Sequence, residues 1–197
     1  MNYSKPYLDS EDGPIDNWPL PLSFDAEYYH NMSWAELCSG SAGIGLRWPY
    51  RIPHDMLYPQ LLNTDKTISE FVKAPGINWL NFKAYYDSYD IKMGDSINKY
   101  IIPFSCGDNN ARIVWLLKNS KENLNNIDFS NVNLTVSDLN NGMYTVEFWD
   151  TNSGKILNSI QSKTNNGSLN LKFNFSDLKD IAIKIYDAFR GFLLWVS

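Results

Sequence analysis

The sequence predicts an α+β chain in two parts: two βα units, then an antiparallel β-sandwich. Three observations predict this. Up to about residue 83, strand-like and helix-like segments follow one another in turn. From about residue 87 the hydrophobic pattern changes to the period of two that is typical of strands. Turns rich in Asn and Gly separate these later strands. We therefore expect one domain over residues 1–83 and a second over residues 87–197.

Composition excludes several classes of protein. The chain has 197 residues, 44% of them hydrophobic and 20% charged, which is a globular composition. Seventeen basic against 22 acidic residues give a net charge of −5, so we expect no nucleic-acid partner. No apolar run approaches the ~20 residues of a membrane span, so no membrane association is expected. The first residues lack the apolar core of a signal peptide, and the sequence predicts no particular cellular compartment.

The first part begins with a strand and a helix. A short apolar run over residues 5–9 precedes a loop that contains a Gly-Pro pair. We predict a helix over residues 26–38, which either Asp25 or Ser23 can cap. Gly40 is the residue type that ends helices in this position.

A second strand and helix repeat this order. Residues 44–48 are strand-like, and a helix is predicted from Pro59, where proline is tolerated, to Val72. Its buried side carries Leu61, Ile68, Phe71 and Val72. The order is that of a parallel α/β fold. Two parallel strands leave their edges open, so we expect this part to be covered by a second copy, another chain or the sandwich itself.

The second part contains about eight short strands. Alternation is clear in Val132, Leu134 and Val136, and the turn at residues 140–142 is Asn-Asn-Gly. A β-branched run at residues 182–185 favours a strand over a helix. Strands at this spacing indicate a sandwich. The predicted strands are 101–104, 111–117, 131–136, 143–149, 156–161, 168–173, 180–186 and 192–196.

Cysteine and histidine provide no metal pattern. Cys38 and Cys106 are too few for a disulfide scaffold, and two separate buried thiols are favoured over a bridge between them. For His30, on the first helix, a structural hydrogen bond is favoured over catalysis, and His54 follows a proline in a loop. We therefore expect no metal and no cofactor.

Several segments in order resemble a known enzyme family. Residues 5–14 (KPYLDSEDGP) resemble the seventh strand of retaining (β/α)8-barrel glycoside hydrolases of the cellulase and mannanase type. Residues 30–35 (HNMSWA) and 39–49 (SGSAGIGLRWP) resemble their seventh helix and eighth strand. Residues 142–151 (GMYTVEFWDT) resemble the C-terminal sandwich of some of these enzymes, which is sometimes labelled a collagen-binding domain.

The resemblance implies a site. It makes Glu11 the nucleophile and Trp48 the floor of a sugar subsite, with Arg47 beside it to orient hydroxyls or a carboxylate. Each residue also has a simpler interpretation. Glu11 could be a solvated loop carboxylate, Trp48 a core residue, and Arg47 a partner in a surface salt bridge.

The resemblance also implies a missing part. The first six strands of the barrel are absent, and with them the acid/base residue on the fourth strand. The chain is then a fragment of an enzyme acting on a polysaccharide or oligosaccharide, inactive alone, and either homo-oligomeric or completed by an N-terminal barrel chain. Enzymes of this kind are often secreted. The alternative is a sandwich module that binds carbohydrate or protein without catalysis.

Overall fold

The computed structural model describes residues 11–12, 22–47, 59–73, 77–79, 82–84 and 91–188. In these ranges the chain is α+β and mostly antiparallel, as the sequence predicts. The elements, in chain order, are β1 (Glu11–Asp12), α1 (Leu22–Cys38), β2 (Leu46–Arg47), α2 (Pro59–Lys73), β3 (Lys83–Ala84), β4 (Ile91–Met93), β5 (Ile101–Gly107), β6 (Ala111–Lys118), β7 (Val132–Val136), β8 (Met143–Asp150), β9 (Lys155–Lys163), β10 (Leu169–Phe173) and β11 (Asp180–Asp187).

Two antiparallel sheets pack face to face. In the described residues, the larger sheet has the order β3-β5-β6-β11-β8-β9, and the smaller sheet has the order β10-β7-β4. Alternate residues of both sheets point into one shared core. Typical buried members come from β7 and β10 of the smaller sheet and from β11 of the larger one: Val132, Leu134, Leu171, Ile181 and Ile183.

The helices cover the opposite face of the larger sheet. Trp34 and Phe71 meet Trp115 and Trp149 there in a second hydrophobic cluster. The ring of Phe71 packs edge-on against Trp34 and Trp149, with centroid separations of 5.2 and 5.3 Å. The larger sheet therefore provides one of the three covers expected for the first part of the chain.

Helix α1 ends where the sequence predicts, but it begins earlier than predicted. The helix begins at Leu22, one turn earlier than expected, so Asp25 lies within its first turn. Gly40, at φ 86°, ends it in a Schellman arrangement. In this motif the Ser41 amide donates to the Glu36 carbonyl at 3.1 Å, and the Gly40 amide donates to the Leu37 carbonyl at 3.2 Å.

Other expectations meet the structure in different ways. Residues 182–185 are in a strand, as predicted. Strands β3 and β4 were not expected, because two or three residues are too few to show a period. The predicted strand at 192–196 and the apolar run at 5–9 lie outside the described residues. The domain boundaries and the assignment to a barrel stay predictions.

Two further observations concern the state of the cysteines and the character of the helices. Cys38 and Cys106 are both buried and free, in agreement with the favoured interpretation. None of the helices within the described ranges is long and apolar enough to cross a membrane.

Candidate functional site

Strands β1 and β2 bring two of the predicted site residues onto neighbouring strands. The pair is parallel, with Glu11 opposite Leu46 and Asp12 opposite Arg47. In this register Glu11 and Arg47 lie one position apart on the two strands. Trp48, the third predicted residue, follows β2 and lies outside the described residues.

A buried carboxylate joins α1 to the larger sheet. Asp180, at the start of β11, accepts a hydrogen bond from Trp115 Nε1 at 3.1 Å and another from Thr151 Oγ1. His30 Nε2 of α1 lies 3.3 Å from the same carboxylate. Burial alone would raise the pKa of Asp180, but hydrogen bonds from His30, Thr151 and Trp115 outweigh it, and the pKa lies below its ordinary value. His30 thus makes the structural hydrogen bond that the sequence favours.

A buried lysine joins α2 to the same sheet. Lys184 of β11 is fully buried, and its Nζ donates to the backbone carbonyl of Phe71. Its ammonium lies 4.5 Å from the ring centroid of Phe71 and 5.0 Å from that of Trp149, within the range of cation–π attraction. Burial lowers the pKa of Lys184 to about 8, and the nearby carboxylate of Glu147 opposes only part of this change.

Glu147 organises the polar groups beside this lysine. Its carboxylate accepts hydrogen bonds from Trp149 Nε1 at 2.9 Å and from Tyr186 Oη at 2.8 Å. Burial and the bond to Glu147 raise the pKa of the Tyr186 phenol well above its ordinary value. The helix-facing side of the larger sheet is therefore apolar with a hydrogen-bonded polar network inside it.

A cleft of about 730 Å³ lies where the N-terminal halves of α1 and α2 meet the larger sheet. Glu27 and His30 line it from α1, Asn63 from α2, and Asp177 and Lys179 from the segment before β11. Lys179 Nζ lies 3.1 Å from Glu27 Oε2 in an exposed ion pair. The described residues that line the cleft include no Trp, Tyr or Phe, so they offer hydrogen bonds but no flat ring for a sugar.

The described ranges contain no cluster of three or more His, Cys, Asp or Glu side chains that could hold a metal ion. Sequence reasoning missed Asp180, Lys184 and Glu147 as members of a buried network. These residues alternate with apolar ones, which is the pattern of a strand with one solvent-exposed face. Trp115 and Trp149 lie on the same face of the sheet, and these two large apolar side chains are the signal that could have indicated that the face is covered.

No protein-family model matches the chain, and none of the curated proteins matches it. Among solved structures, a glycoside hydrolase has a TM-score of 0.52 and 15% identity over 92% of this chain and 41% of its own. The fold of this chain is similar to that of part of this glycoside hydrolase. A glycoside hydrolase family 30 subfamily 8 xylanase from Clostridium acetobutylicum has a TM-score of 0.44 and 12% identity, over 94% of this chain and 47% of the xylanase. For a glycoside hydrolase family 5 protein from Bacteroides vulgatus ATCC 8482 the TM-score is 0.41 and the identity 11%, over 67% and 25% of the two chains.

The chain therefore spans less than half the length of each of these three proteins. Only the glycoside hydrolase with the TM-score of 0.52 supports a conclusion about the fold, and its similarity to this chain lies in the arrangement of helices and strands.

Proposed function

We propose that the chain is the C-terminal portion of a retaining (β/α)8-barrel glycoside hydrolase. In this proposal β1, α1, β2 and α2 are the last two units of the barrel, and the two packed sheets are its accessory β-sandwich. The observation that carries the proposal is the parallel pairing of Glu11 with Leu46 on two strands that are each followed by a helix. The likeness of fold to part of a solved glycoside hydrolase supports it.

The proposed chemistry assigns one role to each predicted residue. Glu11 attacks the anomeric carbon of a polysaccharide or oligosaccharide, and the resulting glycosyl-enzyme is then hydrolysed. Active sites of such barrels lie at the carboxyl ends of the strands. The register of Asp12 with Arg47 supports a place for Arg47 near that end, where it would bind the sugar. Trp48 keeps the role that the resemblance implies, the floor of the sugar subsite.

A second carboxyl group, roughly 5–5.5 Å from the first, must protonate the leaving oxygen. In the proposal this group belongs to the fourth strand, which further polypeptide supplies, either in a longer chain or as a separate one. Residues 1–197 alone then lack general acid catalysis, which is typically worth about 10²–10⁴-fold. They also lack most of the contacts that would hold a substrate in attacking geometry.

The experiment begins with the DNA upstream of the codon for Met1. If it encodes six βα units, the longer protein is assayed on β-glucans, mannans and aryl glycosides beside residues 1–197. We expect turnover only from the longer protein, and a fall of about 10³-fold or more in Glu11→Gln. Glu70→Gln, the same substitution at an exposed position of α2, is the matched control and should keep full activity.

Covalent labelling separates the nucleophile from other carboxylates. An activated 2-deoxy-2-fluoro glycoside should leave its glycosyl group on Glu11, which peptide mass spectrometry identifies. Label on another residue, or turnover by residues 1–197 that survives Glu11→Gln, would show that the proposed site is wrong. Binding of a glycan without turnover by any form would favour the binding-module alternative.

A further inference from the structure

A side chain of α1 holds the backbone at the start of β2. Glu36 Oε2 accepts a hydrogen bond from the amide of Gly45 at 2.6 Å. Gly45 is buried and directly precedes Leu46, the residue that pairs with Glu11. A carboxylate that accepts from a buried backbone amide makes one of the stronger hydrogen bonds in proteins.

The link between α1 and β2 is short and held at both ends. The Schellman arrangement at Gly40 fixes the chain where it leaves the helix, with the Glu36 carbonyl as one of its acceptors. Ser41 Oγ then donates to the Gly43 carbonyl at 2.6 Å, which closes the middle of the link. The Glu36 carboxylate fixes the other end at Gly45, so one residue holds both ends of this segment.

The helix that carries Glu36 is itself fixed. Trp34 precedes Glu36 in the sequence, Leu37 and Cys38 follow it, and all three are buried against the larger sheet. His30, two turns earlier, is bonded to Asp180. The packed sheets therefore hold the part of α1 that carries the Glu36 carboxylate.

We propose that Glu36 is a positioning residue that sets the register of β2 against β1. It fixes the point at which β2 begins, and through Leu46 it fixes which residue of β2 lies opposite Glu11. This effect of Glu36 on the register is independent of any activity. Its catalytic consequence, the alignment of Glu11 with Arg47 and Trp48, rests on the proposed function.

Hydrogen exchange on residues 1–197, followed by NMR without substrate, tests the register. Glu36→Met removes the acceptor at similar length, whereas Glu36→Gln keeps an acceptor oxygen. We expect the Gly45 amide and the hydrogen-bonded amides of the β1–β2 pair to exchange at least about tenfold faster in Glu36→Met and within about threefold of wild type in Glu36→Gln. Glu27→Met, on an exposed part of the same helix, is the control and should leave these amides unchanged.

Unchanged exchange at Gly45, or throughout the β1–β2 pair, in a folded Glu36→Met would overturn the proposal. If that variant does not fold, Glu36→Gln decides, because loss of Gly45 protection there would overturn it equally. In an active longer protein, Glu36→Met should lower kcat about tenfold with little change in KM, and Glu36→Gln should restore it. A longer protein without activity would refute the proposed function but leave the exchange result intact.

Discussion

Lys184 of β11 donates a hydrogen bond to the backbone carbonyl of Phe71 in the last turn of α2. The last carbonyls of a helix lack partners within it and carry partial negative charge, so they favour a cation. The Phe71 carbonyl therefore offsets part of the cost of burying the ammonium, but the burial still lowers the pKa of Lys184 to about 8.

This pKa predicts how stability changes in alkaline solution. The ordinary pKa of lysine is 10.5, so between pH 8 and 10.5 the folded chain binds fewer protons at Lys184 than the unfolded chain does. The free energy of unfolding that Lys184 contributes therefore rises with pH across this window. We expect the difference between wild type and Lys184→Met to rise by about 3 kcal/mol from pH 7 to 10.5, measured by urea unfolding.

Lys172→Met is the matched control, because Lys172 is exposed on β10. Its difference from wild type should stay constant over the same pH range. A constant difference for Lys184→Met as well would show that the buried amine keeps its ordinary pKa.

Removing the carboxylate of Asp180 should be costly. Asp180→Ala leaves Trp115 Nε1 and Thr151 Oγ1 buried without their acceptor and breaks the contact with His30. We expect a loss of about 3 kcal/mol in the free energy of unfolding, measured with denaturant. Asp177→Ala, in the same segment but exposed, should change stability by less than about 0.5 kcal/mol. Equal effects of the two substitutions would contradict this account.

The turn between β8 and β9 contacts α2 through a glycine. Gly154 has φ 66°, and a Cβ added there would lie 3.1 Å from the Cα of Thr67. We expect Gly154→Ala to lower the free energy of unfolding by about 1–2 kcal/mol from the backbone conformation alone, and further from the contact. At Gly94 an added Cβ meets nothing within 4 Å, so Gly94→Ala should be nearly neutral. Thermal unfolding of both variants measures the contrast.

The two thiols should be inert until the chain unfolds. Burial raises the pKa of Cys38 well above its ordinary value, and only the thiolate reacts. At pH 8 we expect Ellman's reagent to detect almost no thiol in the native protein and two thiols per chain in guanidinium. Cys38→Ser should give one. A reading of zero in denaturant would mean that Cys38 and Cys106 form a disulfide after all.

The elements that the sequence predicts well are those with a clear period. Helix α2 follows from Leu61, Ile68 and Phe71 on one side, and β7 follows from Val132, Leu134 and Val136 on one face. The start of α1 was missed because Asp25 is a good capping residue, yet it is buried inside the first turn.

The candidate site could be predicted only in part. A strand pairing such as Glu11 with Leu46 depends on residues 35 positions apart, and local pattern carries no register. The covered polar side of β11 was missed for a similar reason. Asp180 and Lys184 alternate with Ile181 and Ile183, which is the pattern of a strand with one solvent-exposed face. Only the tertiary fold shows that helices cover that face.

The apolar side of the larger sheet has a consequence for how this protein can evolve. Gene recombination that moved residues 91–188 alone to a new host protein would expose Ile113, Trp115 and Trp149 to solvent, since the helices that cover them would stay behind. Strand β3 would also stay behind, and β5 would then become an unpaired edge strand of the larger sheet. A segment that keeps this face covered must include α1, α2 and both sheets, so it begins at or before Leu22, well upstream of the change in sequence pattern.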